Sequence, residues 1–170
     1  MNEPIPQKNN SGFTLVEALV SLTVLTVGLV AGYAAAVSSA GLASSIRNNV
    51  IAANLAQEGV EVIRAIRDTN WFSGVEFDVG LAPGEYEVTY RSAPALSSYK
   101  DRYMYIKTGG VYQYNLVGVE DGQKTLFKRK VTISKPSDVE LKVVTEVTWS
   151  FRGRDRSVSL ESHLFNWALP

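Results

Sequence analysis

The longest uncharged stretch of the chain limits its fold more than any other feature. No charged residue occurs from Ala18 to Ile46, a run of 29 residues in a chain of 170. A helix needs about 20 predominantly apolar residues to cross the hydrocarbon core of a bilayer, so this run is long enough to span a membrane. Glu17 immediately precedes the run. A carboxylate beside a membrane-spanning segment is costly, and by default it marks a function that supplies a partner for the charge.

Two common kinds of apolar segment explain the run only in part. In a secretory signal peptide, Lys8 would form the basic region and Ser38 to Ala40 would offer small residues for cleavage. The run is, however, far longer than the roughly 7–15 apolar residues of a signal peptide, and Glu17 falls where a negative charge is unfavourable. A plain membrane anchor explains the length but gives Glu17 no role.

The residues around Glu17 form a motif, GFTLVEALVSL at positions 12–22. This motif resembles the N-terminus of the type IV pilin-like family, which includes pilins, minor pilins and type II secretion pseudopilins. The resemblance covers about residues 11–67. It implies that prepilin peptidase, a membrane aspartyl peptidase, cuts between Gly12 and Phe13 and methylates the new amino group of Phe13. Residues 1–12 would then be a leader peptide.

The implied cleavage would give Glu17 a partner. The ammonium on Phe13 would lie four residues, or about one helical turn, from Glu17 and on the same face. A carboxylate in the first turn also interacts favourably with the positive end of the helix dipole. The resemblance implies that Glu17 neutralises the Phe13 ammonium of a neighbouring subunit and so sets the register of assembly. The alternative is that the Glu17 carboxylate caps the N-terminus of its own helix. The sequence leaves both roles open, and both can apply in turn.

Gly28 and Gly32 are candidates for helix packing because their GxxxG spacing lets two helix backbones approach closely. Alternatively, each only weakens the helix, by about 1 kcal/mol relative to alanine. Many pilins have a proline in this segment, whereas residues 13–67 of this chain contain none. Gly28, Gly32 and Gly41 are therefore the positions where we expect any local melting of the helix in a filament.

Beyond Arg47 the pattern becomes that of an amphipathic helix. Apolar or small residues recur at spacings of three and four: Ala52, Leu55, Gly59, Val62 and Ile66. The opposite face is polar: Gln57, Glu58, Glu61 and Arg64. One helix is therefore predicted from Phe13 to about Arg67, with residues 13–46 in the membrane or filament core and residues 47–67 against a soluble domain. The segment DTNWFSG, at 68–74, is predicted to end the helix.

The remainder of the chain predicts an antiparallel sheet within residues 75–167. Strands are expected at 85–92, at 102–116 as a hairpin that turns at Gly109 and Gly110, and at 125–134, 139–151 and 157–167. Apolar residues and Thr145 alternate with mostly polar ones along 139–151, which predicts that one face of this strand is buried. Turns are expected at 135–138 and 152–155. The predicted fold is α+β, a long N-terminal helix packed on a C-terminal antiparallel sheet, with residues 47–170 as the soluble domain. This matches the pilin-like architecture.

Composition argues against catalysis, a cofactor and a metal site. The chain has no cysteine and one histidine, His163, so thiolate sites, histidine metal sites and a Ser-His-Asp triad are disfavoured. The 17 basic and 17 acidic residues balance, which gives no electrostatic argument for binding nucleic acid. Many major pilins carry a C-terminal disulfide, so the absence of cysteine favours a minor pilin or pseudopilin.

Three other features receive ordinary structural interpretations. A basic patch is conceivable from 128–130 together with Arg152, Arg154 and Arg156, but we expect these residues to be exposed, solubilising charges on two strand and turn segments. Cross-strand aromatic pairing is expected rather than an adhesive surface for five tyrosines: Tyr99, Tyr103, Tyr105, Tyr112 and Tyr114. His163 is expected at the surface or half-buried.

The sequence therefore predicts a structural subunit rather than an enzyme. Its expected partners are other pilin-like subunits, prepilin peptidase, the membrane assembly platform and the lipid bilayer. The expected location is the cytoplasmic membrane, as a single-pass protein with its C-terminal domain outside the cytoplasm, and then a pilus or pseudopilus at the cell surface. The runner-up is a membrane-anchored ligand-binding or adhesive module that does not polymerise.

Overall fold

The computed structural model describes residues 12–92, 96–115 and 121–167. The predicted leader, apart from Gly12, lies outside these residues. The chain divides into two units, the first ending at Ser44 and the second beginning at Ser45. One helix, α1 (Leu15–Phe72), contributes to both units.

The first-unit part of α1 presents its side chains to the surroundings. Every residue from Gly12 to Ala40 is exposed, and the helix is long and apolar enough to span a membrane, with a mean hydropathy of 2.1 over its most apolar 18-residue window. The hydroxyl groups of Thr23 and Thr26 donate hydrogen bonds to the carbonyls of Leu19 and Leu22, both at 2.7 Å. These polar groups are satisfied within the helix, as a hydrocarbon environment requires.

The predicted end of the helix at Arg67 is wrong, because α1 continues to Phe72. Asn70 stabilises the extra turn, since its Nδ2 donates to the carbonyls of Phe77 at 3.1 Å and Val79 at 2.9 Å. The indole Nε1 of Trp71 donates to Oδ1 of Asn166 at 3.1 Å. The polar residues that indicated a turn therefore extend the helix through tertiary hydrogen bonds.

Eight strands form two antiparallel sheets in the described part of the chain. The strands are β1 (Gly84–Glu87), β2 (Ser97–Ser98), β3 (Tyr105–Ile106), β4 (Tyr112–Gln113), β5 (Gln123–Lys124), β6 (Phe127–Ser137), β7 (Glu140–Phe151) and β8 (Arg154–Phe165). The larger sheet has the order β2-β1-β6-β7-β8, and the smaller has the order β4-β3-β5. The predicted α+β layout, a long helix on antiparallel sheets, is confirmed.

Several predicted strand limits are wrong. The strand predicted at 85–92 ends at Glu87, and the turn predicted at 135–138 is mostly strand. A register shift between Ser134 and Ser137 lets β6 continue, so that only residues 138–139 turn. At 152–155 only Arg152 and Gly153 turn, both with positive φ, and β8 starts at residue 154 rather than 157.

The hairpin predicted at Gly109 and Gly110 is confirmed, although its strands are only two residues long. The backbone amide of Lys107 donates to the carbonyl of Val111 at 2.8 Å. Both glycines have positive φ, 89° and 80°, a conformation that side chains disfavour. The hairpin belongs to the small sheet rather than to the one that packs on the helix.

Glu87 is a buried carboxylate that ties the loop after β2 to the end of β1. It is 2 % exposed, and the guanidinium of Arg102 binds both of its oxygens. The amide of Lys100 also donates to Glu87, at 3.2 Å, and Arg102 Nη1 donates to the carbonyl of Asn115 at 2.8 Å. This bidentate pair satisfies a charge that would be costly to bury alone.

The core lies between the second-unit part of α1 and one face of the larger sheet. The first cluster groups Ala52, Leu55 and Ala56 of the helix with residues that include Phe127, Val147 and Trp149. The second groups Val60, Ile63 and Ile66 with residues that include Val131, Ile133, Leu141 and Val143. Residue numbers rise along α1 and β6 together, so this part of the helix runs in the direction of β6. The predicted alternation in β7 is confirmed.

Gly59 is the closest approach that we identify between the helix and the sheet. A Cβ atom at this position would lie 2.8 Å from Cγ2 and 2.9 Å from Oγ1 of Thr145, and 3.3 Å from Cγ2 of Val131. Thr145 is fully buried on β7, an interior strand of the larger sheet, so it has little room to move. A side chain at 59 would therefore push the helix away from the sheet.

Arg129 is fully buried beside this contact, which contradicts the prediction that residues 128–130 are all exposed. Its Nη1 donates to the carbonyl of Leu55 at 2.9 Å, and its Nη2 donates to the carbonyl of Val88. The carboxylate of Glu58 lies 3.4 Å from the guanidinium. Arg129 has the same strand parity as Phe127 and Val131, and this parity places it on the face that packs against the helix.

We predict that Gly59→Ala destabilises the domain by about 1–3 kcal/mol through overpacking against Thr145. This loss exceeds the gain of about 1 kcal/mol that alanine gives to a helix. Adding Thr145→Ala removes the two closest atoms and should restore most of the stability, whereas Thr145→Ala alone should cost little, because its buried hydroxyl has no partner. Urea unfolding of the full chain in detergent, followed by tryptophan fluorescence, measures this cycle. Additive effects of the two substitutions would contradict the proposed contact.

We also predict that Arg129→Ala costs about 2–4 kcal/mol, because it leaves a cavity and two buried carbonyls without a donor. Glu58→Gln should cost less than about 1 kcal/mol, because that carboxylate is one-third exposed and its pairing is long. The same unfolding experiment compares them. Equal losses for the two variants would show that the carboxylate, and not the backbone carbonyls, stabilises the buried charge.

Candidate processing and assembly site

The predicted cleavage bond lies before the start of the helix. No regular secondary structure is present at Gly12, Phe13 and Thr14. The sequence predicts a helix that begins at Phe13, whereas α1 begins at Leu15. Gly12 is exposed, and Phe13 exposes 69 % of its surface. Cleavage between Gly12 and Phe13 would therefore break no hydrogen bond of the helix.

Thr14 caps the N-terminus of α1. Its hydroxyl oxygen accepts a hydrogen bond from the backbone amide of Glu17 at 3.2 Å, and its carbonyl accepts one from the amide of Ala18 at 3.1 Å. This is the threonine half of a capping box, whose pattern Thr-x-x-Glu is present in the sequence. The pattern could have located the helix start correctly. Thr14 follows the predicted cleavage bond, so cleavage there would leave the cap in the mature chain.

Glu17 is exposed in the first turn of the helix. Within residues 12–92, 96–115 and 121–167, its carboxylate forms no ion pair and accepts no hydrogen bond from another side chain. The favourable position near the positive end of the helix dipole remains. The carboxylate is therefore available to an incoming cation, since Thr14 already caps the helix.

Gly28 and Gly32 lie on an open surface. A Cβ atom at either position would have no neighbour within 4 Å. Large apolar side chains between and around them are also exposed, including Leu25 at 58 % and Leu29 at 66 %. A continuous apolar surface of this extent calls for a cover, which lipid or other helices can provide.

In its described parts, the second unit brings together no residues that form an evident catalytic centre. They contain no group of three or more His, Cys, Asp or Glu side chains suited to a metal ion. One cleft, of about 450 Å³, is lined by side chains of mixed charge, which include Asp101, Lys128 and Arg156. The geometry brings no nucleophile of this cleft next to a base.

The tyrosines contact cations more than each other, which contradicts the predicted aromatic pairing. The ammonium groups of Lys124 and Lys128 lie 4.4 Å and 4.9 Å from the ring centre of Tyr103. Tyr114 donates its hydroxyl to the carbonyl of Arg129 at 2.7 Å, and burial raises its pKa to about 12. Of the five, Tyr112 packs edge-on against another aromatic ring, that of Phe127.

His163 lies at the surface, as predicted, but it has partners that the sequence did not indicate. Nδ1 lies 2.5 Å from a carboxylate oxygen of Glu140, and Nε2 lies 3.0 Å from one of Glu161. These two carboxylates raise the pKa of the imidazole, Glu140 most strongly. Glu161 also pairs with Lys142 at 2.8 Å, so the cluster is a surface charge network between β7 and β8.

The sequence match to a known family covers the same residues as the candidate site. Residues 7–33 match the family model described as the prokaryotic N-terminal methylation motif. This match is consistent with a type IV pilin-like protein, and it confirms the resemblance inferred from Gly12, Phe13 and Glu17. No curated protein and no solved structure matches the chain.

Proposed function

We propose that this chain is a structural subunit, a minor pilin or pseudopilin, of a type IV pilus, a type II secretion pseudopilus or a DNA-uptake filament. The observation that carries the proposal is the methylation motif at 7–33 in front of an uncovered apolar helix. Prepilin peptidase would remove residues 1–12 and methylate Phe13. The chain would be anchored in the cytoplasmic membrane, with its C-terminal domain outside the cytoplasm, until the assembly platform adds it to the filament.

The exposure of the first-unit helix supports this role. Residues 13–46 form the membrane or assembly half in the proposal, and lipid would cover them before assembly. The helices of other subunits would replace lipid in the filament. Gly28 and Gly32 present no side chain there, so the backbone of a second helix can approach closely.

The carboxylate of Glu17 has no side-chain partner among the described residues, which supports a role in assembly. Two opposite charges attract strongly when water is excluded, but either charge alone is costly there. Cleavage would place an ammonium on Phe13, one turn from Glu17. We propose that Glu17 pairs with the Phe13 ammonium of a neighbouring subunit, so that only the correct register leaves no charge unpaired.

Mass spectrometry of the mature N-terminus tests the processing step. We expect a chain that begins with N-methylated Phe13 in cells that contain prepilin peptidase, and an uncut chain in cells that lack it. Gly12→Leu, which replaces the small residue before the bond, should also leave the chain uncut. A wild-type chain that retains Met1, or one that begins near Gly41 after conventional signal cleavage, would exclude the pilin-like route and favour a non-polymerising membrane module.

Substitution of Glu17 tests the assembly step. Glu17→Ala should leave membrane insertion intact and reduce incorporation into filaments at least tenfold, because losing more than about 1.4 kcal/mol corresponds to that factor. Glu61→Ala is the matched control, since it removes an exposed carboxylate of α1 whose ion pair with Arg64 is a surface contact. Fractionation of membranes and sheared filaments measures both. Wild-type incorporation of the Glu17 variant would rule out the proposed ion pair.

A further inference from the structure

The larger sheet ends in a long strand that is paired on one side only. β8 has twelve residues and pairs with β7 along its whole length, from Glu140 opposite Phe165 to Phe151 opposite Arg154. Among the described residues, no strand pairs with its other edge. Half of its backbone amides and carbonyls therefore point away from the sheet, which makes β8 a template for another strand.

This edge lacks most of the features by which proteins prevent such pairing. β8 is not short, contains no proline, and has no bulge in its register with β7. Its central residues, Ser157 to Leu160, carry no charge. Leu160 is 38 % exposed although it lies on the helix side of the sheet, opposite Thr145.

We propose that β8 pairs antiparallel with β8 of a second copy of this chain, with Ser159 opposite Ser159 at a two-fold axis. The two larger sheets would then join into one continuous sheet of ten strands, five from each copy. Such isologous pairing uses the same surface on both copies and closes as a dimer.

The charges of β8 select this register. With Ser159 on the axis, Asp155 lies opposite His163 of the second copy, and Val158 lies opposite Leu160 of the second copy. The two-fold symmetry generates each of these pairs two times. Glu140 and Glu161 each contact one ring nitrogen of His163 and raise its pKa, so Asp155 would interact with the charge of the imidazole rather than accept a hydrogen bond from it. No two like charges lie directly opposite each other in this register, and the nearest like charges, Asp155 and Glu161 of the second copy, are diagonal neighbours. Opposite charges or apolar side chains that face each other stabilise a sheet.

The neighbouring registers are less favourable. Sliding by one pair in one direction places Asp155 opposite Glu161, which is a like-charge pair. Sliding the other way places Asp155 opposite Phe165 and Val158 opposite Ser162. The ion pair is then lost, and one pair of Leu160 with its own copy replaces the two pairs of Val158 with Leu160. A shift by an odd number of residues would place side chains from the helix side of one sheet opposite side chains from the outer side of the other, because side chains alternate between the two faces of a strand.

The two-fold axis decides which copies can pair. Antiparallel pairing reverses the strand direction, and the segment from Ala52 to Ile66 runs along β6, so this segment would run in opposite directions in the two copies. Subunits of one helical filament share one direction. The contact therefore joins subunits of two filaments that lie side by side in opposite directions. The strand pairing itself does not rest on the proposed function, because it needs only the soluble unit.

A single cysteine reports the register, because the natural chain contains no cysteine. Residues directly opposite in an antiparallel pair have Cα atoms roughly 4.5–5.5 Å apart, within disulfide range. We expect Ser159→Cys in the full chain, in detergent and under mild oxidation, to form a covalent dimer. Ser157→Cys is the matched control on the same exposed face, and its two copies would lie about 13 Å apart, which no disulfide spans.

Charge reversal separates this contact from dimers formed through the apolar helix. Asp155→Lys should weaken dimerisation of the full chain at least tenfold in sedimentation equilibrium, and should abolish the cross-link of Ser159→Cys. Its unfolding midpoint should stay unchanged, because Asp155 forms no ion pair among the described residues. Equal cross-linking of Ser157→Cys and Ser159→Cys, no cross-link in either, or a cross-link that survives Asp155→Lys would overturn the proposal, whatever the outcome of N-terminal processing.

Discussion

The fold of the second unit depends on a cation, the guanidinium of Arg129, that is buried between the helix and the larger sheet. Arg129 donates to the carbonyl of Leu55 in one core cluster and to that of Val88 in the other. Burying an unpaired ion costs several kcal/mol, so the guanidinium fixes where these two carbonyls lie. A purely apolar contact between helix and sheet would tolerate sliding, whereas hydrogen bonds from one planar group to two backbone segments do not.

This cation and Gly59 act on the same turn of α1. The carbonyl of Leu55 is the helical acceptor for the amide of residue 59, and it also accepts from Arg129. A side chain at Gly59 would collide with Thr145, so only glycine lets the helix lie close enough for the guanidinium to reach that carbonyl. The position of the helix on the sheet thus follows from one missing side chain and one buried charge. Thr145, the residue that Gly59 approaches, lies opposite Val131, which is two strand positions from Arg129.

The sequence predicted best what depends on local periodicity. The alternation of β7 and the turn at Gly109 and Gly110 are visible within a few residues and are confirmed. The burial of Arg129 was not predicted, because three consecutive basic residues suggested an exposed strand. The alternation of side chains along the strand nevertheless places the middle residue, Arg129, on the inner face. The end of α1 was missed for a different reason. Asn70 favours a turn locally, but it binds the carbonyls of Phe77 and Val79, and such tertiary hydrogen bonds override propensity.

The motif of the candidate site was predictable because its residues lie close together in the sequence. What the sequence reasoning missed is the division of roles between Thr14 and Glu17. A glutamate at the third helical position of a capping box can bind the backbone of the cap residue, and in that role it would be a structural group of its own chain. Here the hydroxyl of Thr14 accepts a hydrogen bond from the amide of Glu17, and the Glu17 carboxylate has no side-chain partner among the described residues. Thr14 supplies the side-chain cap, so the Glu17 carboxylate is not needed for it, although the carboxylate still interacts favourably with the helix dipole. This supports the proposal that the charge serves an ammonium that is created only when the bond before Phe13 is cut.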